Sequence, residues 1–157
     1  MIANVFYKGK EDKMRAVVTR VNEARVDIDG VNVGKIDKGF LVLLGVHKDD
    51  TDKDADYIAD RICGLRVFED ENGKMNVGPK DAGAKLLIIS QFTLYADCKS
   101  RRPGFTDAAR PDTAIPLYEQ VIAKCKEAGF EVETGQFGAD MSVYSVNDGP
   151  VTIILES

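Results

Sequence analysis

Apolar and polar residues alternate along the first part of the chain, as they do in half-buried β-strands. The alternation covers residues 14–22 and 24–29 and resumes at about 31–36. Asp29-Gly30 lies between two valine-rich runs, and this dipeptide is typical of a tight hairpin turn. The run at 40–46 is apolar at nearly every position, which predicts a strand buried on both faces. The first third of the chain is therefore predicted to be mostly sheet.

Two later segments change to the period of a helix. Thr51 and Asp54 have the spacing of a capping box, and apolar residues recur at helical spacing from there to about Cys63. The aspartates around this start lack the glycine and the glutamate of a calcium-binding loop, so a helix start is the better interpretation. A second helix is predicted over about 113–128, and Gly129 provides its stop.

The remaining apolar runs predict further strands. They are Leu65 to Phe68, Lys85 to Tyr95, Phe130 to Thr134, Met141 to Val146 and Pro150 to Leu155. Many strands with two main helices, and no regular alternation of strand and helix, predict an α+β fold with a β-barrel-like sheet. The chain has 157 residues and no linker-like stretch or internal repeat, so one domain is expected.

The composition excludes several classes of protein. With 44% hydrophobic and 30% charged residues, the chain has the make-up of a globular domain. It contains no apolar run of the roughly 18 residues that a membrane span needs, and its start lacks the order of a signal peptide. We therefore expect a cytoplasmic protein without a membrane partner.

The net charge of −5 argues against a protein that binds nucleic acid over its whole surface. A nucleic acid would have to be held by a local patch or recognised at one small end. The one basic patch in the sequence is formed by Lys99, Arg101, Arg102 and the nearby Arg110. A solvated surface loop is the plainer interpretation of these residues.

Cysteine and histidine usage limits the possible chemistry. Cys63, Cys98 and Cys125 are odd in number and contain no Cys-x-x-Cys pair, so reduced structural thiols are expected. His47 is the only histidine, which excludes zinc sites with two histidines and leaves a serine triad possible only with His47 as its base. These residues therefore indicate no zinc site of the usual kind, and we expect no cofactor.

The segment Ile89-Ser90-Gln91-Phe92-Thr93-Leu94 places polar side chains within an apolar run. In a strand, Ser90 would share a face with Phe92, and Gln91 would share the other face with Thr93. One interpretation is a strand that merely emerges into solvent. The other is the wall of a ligand site, where hydroxyl, amide and backbone N–H groups converge.

The segment Asn147-Asp148-Gly149-Pro150-Val151-Thr152 combines a turn signal with a β-branched run. Pro150 lacks a backbone donor, so it must open a strand or lie at a sheet edge. Composition alone favours a trans Gly149-Pro150 bond. If the bond were cis, two successive carbonyls could point the same way and accept hydrogen bonds from an ammonium group.

Together these two segments resemble the signature motifs of the D-aminoacyl-tRNA deacylases, the D-Tyr-tRNA deacylase family. The resemblance extends over nearly all of residues 14–157, which are expected to form the family domain. Met14 resembles the usual start, so residues 1–13 are interpreted as an extension that is disordered or lies outside this domain. The chain departs from the family pattern at Gly78-Pro79 and at Gly104, outside both motifs.

The resemblance implies hydrolysis of the ester that joins a D-amino acid to the terminal adenosine of tRNA, as a proofreading step in translation. Ser90, Gln91, Phe92 and Thr93 are the implied catalytic segment, in which backbone amides around Phe92 and Thr93 stabilise the negative oxygen formed on attack. A nucleophilic role for Thr93 is the weaker alternative, because no base stands near it in the sequence. Attack would be assisted by the 2′-hydroxyl of the tRNA, without a metal.

The family resemblance also implies a homodimer, in which a cis Gly149-Pro150 pair reaches into the partner's active site. Its carbonyls would receive the α-ammonium group, and its bulk would leave no room for an L side chain. Glycyl-tRNA, including glycine mischarged on alanine tRNA, would then be hard to reject. The implied chirality filter comprises Gly149, Pro150, Asn147, Asp148 and Arg20, which braces the loop. The positions near the pocket that match more weakly are Phe105, Ala114, Phe137 and Met141.

Two alternatives stay open at this stage. The first is a related editing enzyme of the same fold that removes a wrong L-amino acid, although Ser90, Phe92 and Asp148 match the D-specific motifs. The second is a non-catalytic β-barrel that binds nucleic acid, which the net acidity and the lack of an aromatic and basic stripe oppose. No DNA partner is expected, because the long basic tail of some animal relatives is absent.

Overall fold

A computed structural model describes residues 13–157, and the interpretation of the N-terminal extension therefore concerns residues that lie, apart from Lys13, outside the described part. The elements follow in the order β1 (Arg15–Ile28), β2 (Val31–Ile36), β3 (Gly39–Gly45), α1 (Asp52–Gly64), β4 (Phe68–Glu69), β5 (Met75–Val77), β6 (Lys85–Ser90), a 3₁₀ helix (Phe92–Tyr95), α2 (Pro111–Glu127), β7 (Val132–Thr134) and β8 (Ser142–Glu156).

One mixed sheet of six strands organises the molecule, in the order β2-β1-β3-β6-β7, with β8 paired to β1. The β1, β2, β3 and β8 pairings are antiparallel, whereas β3–β6 and β6–β7 are parallel. The long strand β1 curves past three neighbours, so the sheet is nearly closed and barrel-like. The predicted α+β class with two main helices is confirmed.

The sheet is covered on both faces, as the apolar run at 40–46 predicts. Phe40, Val42 and Leu44 of β3 pack in the main core with the two helices. Leu41, on the opposite face, packs in a second cluster with residues of β1, β2 and β6. Burial stabilises the folded state by about 25 cal/mol for each Å² of apolar surface removed from water. Because β3 buries side chains on both of its faces, it contributes to both clusters.

The two helices begin near the predicted residues. The Asp54 carboxylate accepts a hydrogen bond from the Thr51 amide at 2.8 Å, which is one half of the predicted capping box. Helix α2 begins at Pro111, two residues before the predicted Thr113, because proline suits the first turn, where amides have no partner. Pro116 lies inside this helix.

Four strand predictions need correction. The strand predicted over Lys85 to Tyr95 ends at Ser90, and the chain turns into the 3₁₀ helix. Only Phe68 of the predicted Leu65 to Phe68 strand is paired, within the short hairpin with β5. The strand predicted from Phe130 begins at Val132. The two strands predicted after Met141 form one irregular strand, β8, which the Asp148 to Pro150 segment interrupts without breaking.

Candidate active site

The end of β6 turns sharply at Gln91, and this turn presents the first candidate motif. The Gln91 amide donates a hydrogen bond to the Leu44 carbonyl at 2.8 Å, which fixes the turn to β3. At the far end, the Arg15 guanidinium donates to the Leu94 carbonyl at 2.8 Å and also binds Glu156. Gly45 packs tightly against Leu94, with only 3.0 Å available for a Cβ. The turn is therefore held at both ends by the sheet.

The amides of Phe92 and Thr93 lie in the first turn of the 3₁₀ helix. First-turn amides have no partner within a helix, and among residues 13–157 neither amide donates a hydrogen bond to another backbone or side-chain group. Both residues are exposed, and Phe92 has 56% of its surface accessible. Two unused N–H groups next to each other form a polar cradle that can stabilise a negative oxygen.

The side chains of this motif are arranged differently from the strand prediction. Gln91 and Thr93 do meet, and the Gln91 side-chain amide donates a hydrogen bond to the Thr93 hydroxyl. Ser90 is half-buried at the end of β6, where it pairs with Leu44. His47 is buried against the Tyr95 ring, and its Nδ1 accepts a hydrogen bond from the Asp49 amide.

A cavity of about 280 Å³ opens beside this turn. Five of the residues expected near the site lie on its wall: Ser90, Gln91, Phe92, Phe137 and Met141. Ile89 and four neighbours that were not singled out from the sequence complete it: Gly138, Ala139, Asp140 and Val143. Gly138, Ala139 and Asp140 lie in residues 134–141, Thr-Gly-Gln-Phe-Gly-Ala-Asp-Met, and Val143 follows two residues later. This segment also resembles the family sequence, and that likeness could have identified these residues.

Two of the weaker pocket residues do not line this cavity. Phe105 packs edge to face against Phe92, with ring centroids 5.1 Å apart, so it supports the wall from behind. Ala114 is buried in the main core with α2. Tyr118 of the same helix packs against Phe137 and donates a hydrogen bond to the Ile88 carbonyl at 2.7 Å. Through Tyr118, helix α2 thus contacts both Phe137 of the cavity wall and strand β6, which leads into the turn.

The second candidate motif projects from β8 as an irregular loop. Thr152 pairs with Thr19, and Asn147 pairs with Val21, so the four residues between them stand opposite Arg20 alone. The Asn147 side chain closes the loop: its oxygen accepts from the Val151 amide at 3.0 Å and its amide donates to the Thr152 hydroxyl. Gly149 and Pro150 are exposed, and the bond between them is cis, as the family resemblance implies.

Arg20 is buried beneath this loop. Its Nη1 donates to the Val67 carbonyl at 2.6 Å, and its Nε donates to the Asp148 carbonyl at 3.2 Å and forms an ion pair with the Asp148 carboxylate. Gly149 has a φ of +128°, and a Cβ there would lie 3.1 Å from Arg20 Nη2. The loop is therefore shaped for glycine and anchored by one buried arginine.

Within one chain, the two motifs are far apart. Ser90 is level with Ala16 on the sheet, and the loop is level with Arg20, four residues or roughly 13 Å along β1. Measured along the curved sheet, the motifs are also three strand spacings apart, roughly 14 Å, from β6 through β3 and β1 to β8. The loop borders a different cavity, lined by Arg20, Phe68 and Asp148 among others.

Among residues 13–157, no group of three histidine, cysteine, aspartate or glutamate side chains is placed to hold a metal ion. None of the helices in the same range has the length and apolar character that crossing a membrane requires.

The three cysteines lie in different environments. Cys98 is exposed, whereas Cys63 and Cys125 contact each other, with sulfurs 3.7 Å apart, between the two helices.

Comparison with known proteins decides the family. The model of the family described as D-Tyr-tRNA(Tyr) deacylase matches residues 17–156. The chain belongs to this family. It is 55% identical to a D-aminoacyl-tRNA deacylase of Thermosipho africanus and 57% identical to one of Clostridioides difficile, in each case over 92% of this chain and 97% of the relative.

Solved structures agree with this deacylase fold. A structure titled c-Myc DNA Unwinding Element Binding Protein has a TM-score of 0.86 and 38% identity, covering 91% of this chain and 98% of its own. A probable eukaryotic D-amino acid tRNA deacylase has a TM-score of 0.80 over 92% of this chain and 99% of its own. At 16% identity, the second likeness concerns the fold alone.

Proposed function

We propose that the protein hydrolyses the ester bond of D-aminoacyl-tRNA, releasing a free D-amino acid and tRNA in the cytoplasm. The observation that carries this proposal is the pair of unused amides of the exposed residues Phe92 and Thr93, beside a cavity in a member of the deacylase family. Such donors bind the oxyanion that forms when a nucleophile attacks an ester carbonyl. The water that attacks is activated with the help of the 2′-hydroxyl of the terminal adenosine, and no metal ion takes part.

Selection of the D form is assigned to the loop at Gly149 and Pro150 of a second chain. The ammonium nitrogen and the ester carbon of an aminoacyl group are two bonds apart. One aminoacyl group therefore cannot contact both motifs of the same chain, given the distances above. If both motifs act on the same aminoacyl group, they come from different chains. The active enzyme is then a homodimer in which each site combines the Phe92–Thr93 amides of one chain with the partner's loop.

The surface of β8 supports a dimer. β8 is the strand that carries the loop, and within the described part of the chain it pairs with β1 alone. It also exposes large apolar side chains, namely Val143, Tyr144, Val146 and Ile154. A long, exposed, apolar edge strand is an aggregation hazard unless another chain covers it.

The loop rejects L-amino acids by excluding their side chain while its carbonyls hold the α-ammonium group. Because this mechanism reads the stereocentre alone, D-amino acids with different side chains should all be accepted. Glycine has no side chain to exclude, so glycyl-tRNA, including glycine on alanine tRNA, is a further proposed substrate. An enzyme that removes a wrong L-amino acid is the competing function that the same assay tests.

The experiment measures deacylation of D-Tyr-tRNA, L-Tyr-tRNA and glycyl-tRNA by the purified protein, with a chelator present. We expect rapid hydrolysis of the D and glycyl esters and a rate for the L ester close to that of the uncatalysed reaction. Equal inertness toward all three in a folded protein would contradict the proposal. Preferred hydrolysis of the L ester would move the protein to the competing class.

A further inference from the structure

A strongly basic loop begins three residues after the end of the 3₁₀ helix. Asp97 and Gly104 form an antiparallel bridge, with backbone hydrogen bonds of 2.7 and 2.9 Å, and they enclose residues 98–103, here called the basic loop. All six residues of the basic loop are exposed. Three of them, Lys99, Arg101 and Arg102, are cations, in a chain whose net charge is −5.

The cations of the basic loop are unused by the fold. Among residues 13–157, none of the three side chains forms an ion pair, a hydrogen bond or a contact with an aromatic ring. Other cations are employed: Arg15 and Arg20 hold the two motifs, and Lys85 and Lys124 bind acidic neighbours. The one acidic residue at the base of the loop, Asp97, is engaged by the Lys99 backbone amide at 3.0 Å. Three adjacent unpaired cations favour an anionic partner.

The base of the basic loop is joined to the site. Phe105 follows Gly104 directly and packs on Phe92, which lines the cavity. Three extended residues reach at most about 10 Å, so the tip of the loop stays within about that distance of the bridge. These cations are therefore within reach of a polymer whose terminal residue occupies the cavity.

From this arrangement we infer that the basic loop binds backbone phosphates of the RNA strand that leads to the terminal adenosine. The inference rests on the proposed function and adds a substrate-binding surface to it. The phosphate backbone is the part of the RNA that Lys and Arg can neutralise without reading bases. The basic loop thus supplies affinity for any tRNA, and the cavity beside the Gln91 turn supplies the chemistry.

The test compares two double variants of the full-length protein, each of which removes two exposed cations. Arg101→Gln with Arg102→Gln alters the basic loop. Lys53→Gln with Lys126→Gln, at the start of α1 and the end of α2, is the matched control, because neither lysine has an ion-pair partner among residues 13–157. Steady-state kinetics on D-Tyr-tRNA are measured over a range of salt concentrations, together with hydrolysis of D-Tyr-adenosine, which has no phosphate.

We expect the loop variant to raise KM for D-Tyr-tRNA about tenfold at low salt, with kcat within about twofold. The slope of log kcat/KM against log salt should become shallower by about 0.7 to 0.9 for each phosphate that the variant no longer neutralises. The rate on D-Tyr-adenosine should equal that of the unmodified protein, and the control variant should match that protein in every assay.

An unchanged KM and salt slope in the loop variant, with D-Tyr-tRNA hydrolysis intact, would overturn the basic-loop inference and leave the proposed function standing. Loss of D-Tyr-adenosine hydrolysis in the loop variant alone would also overturn it, because the arginines would then support the site itself. If the unmodified protein hydrolyses no D-aminoacyl ester, the proposed function fails and the inference fails with it.

Discussion

At the Gln91 turn, the candidate catalytic groups are the Thr93 hydroxyl and the backbone amides of Phe92 and Thr93. Thr93 is exposed and accepts a hydrogen bond from Gln91, whereas the neighbouring amides point to no partner in the described chain. A free threonine hydroxyl is a weak nucleophile unless a base activates it, and the buried His47 has its Nδ1 occupied by the Asp49 amide. The proposed chemistry therefore rests on the Phe92 and Thr93 amides.

Thr93→Ala should accordingly keep most of the kcat for D-Tyr-tRNA, within about fivefold, because it removes a hydroxyl and leaves the amide in place. Thr93→Ser, which keeps the hydroxyl, is the control. Single-turnover kinetics would show the chemical step directly. A loss of about a thousandfold or more in a folded Ala variant, with rescue by Ser, would assign the attack to the hydroxyl instead.

At some points of the fold, two elements can approach closely only because one of the residues in contact is a glycine. Gly39 is the clearest of these, since a Cβ there would collide with the backbone carbonyl of Lys85 where β3 meets β6. Gly64, at the end of α1, has open space around its Cβ position. The two glycines therefore differ in environment although both lie at the end of an element.

Gly39→Ala should lower the free energy of unfolding by about 3 kcal/mol or more, because β3 and β6 must separate to admit the methyl group. Gly64→Ala should change it by less than about 1 kcal/mol in either direction. Urea denaturation of both variants measures the difference. Similar midpoints for the two would show that the β3–β6 contact is not a rigid part of the core.

The elements also show what the sequence could predict. The strand at 40–46 and the start of α1 were predictable, because burial on two faces and helix capping leave local patterns. The turn at Gln91 was not, because no glycine or proline marks it and the Leu44 carbonyl that fixes it lies on another strand. The cavity wall at Gly138 to Asp140 likewise depends on tertiary packing rather than on a local pattern.

At the scale of the molecule, a buried carboxyl lies where both ends of the described chain meet. Ser157 donates its amide proton to the Met14 carbonyl and its hydroxyl proton to the Asp54 carboxylate. Asp50 lies beside them, and burial raises its pKa to about 7, with the Asp54 charge adding to the shift. One oxygen of Asp50 accepts from the His47 amide, and the other, Oδ1, is buried without a partner among the described residues.

Between about pH 4 and pH 7 the folded protein binds a proton at Asp50 that the unfolded chain releases, so this group makes stability fall as the pH rises. Asp50→Asn should remove this fall in stability with rising pH. At about pH 8 it should raise the free energy of unfolding by on the order of 1 to 4 kcal/mol, and near pH 4 it should have little effect. Urea denaturation at several pH values measures this, with the exposed Asp49→Asn as control. A variant whose advantage is independent of pH would contradict the assignment.

In the proposed dimer, each active site takes one motif from each of two chains. Phe92→Pro removes one cradle amide, and Gln91, with φ −142° and ψ 84°, lies outside the helical region that a following proline disfavours. Gly149→Ala displaces the loop, since its Cβ would lie 2.7 Å from a Val151 methyl carbon. Each homodimer should therefore be inactive on D-Tyr-tRNA.

The decisive measurement is the activity of the heterodimer that contains one chain of each variant, purified through two different tags. One of its two sites has an intact cradle and an intact loop from opposite chains, so about half of the unmodified activity should return. If both motifs of a site came from the same chain, every site would carry one defect. A folded heterodimer as inactive as the two homodimers would therefore contradict a site shared between two chains.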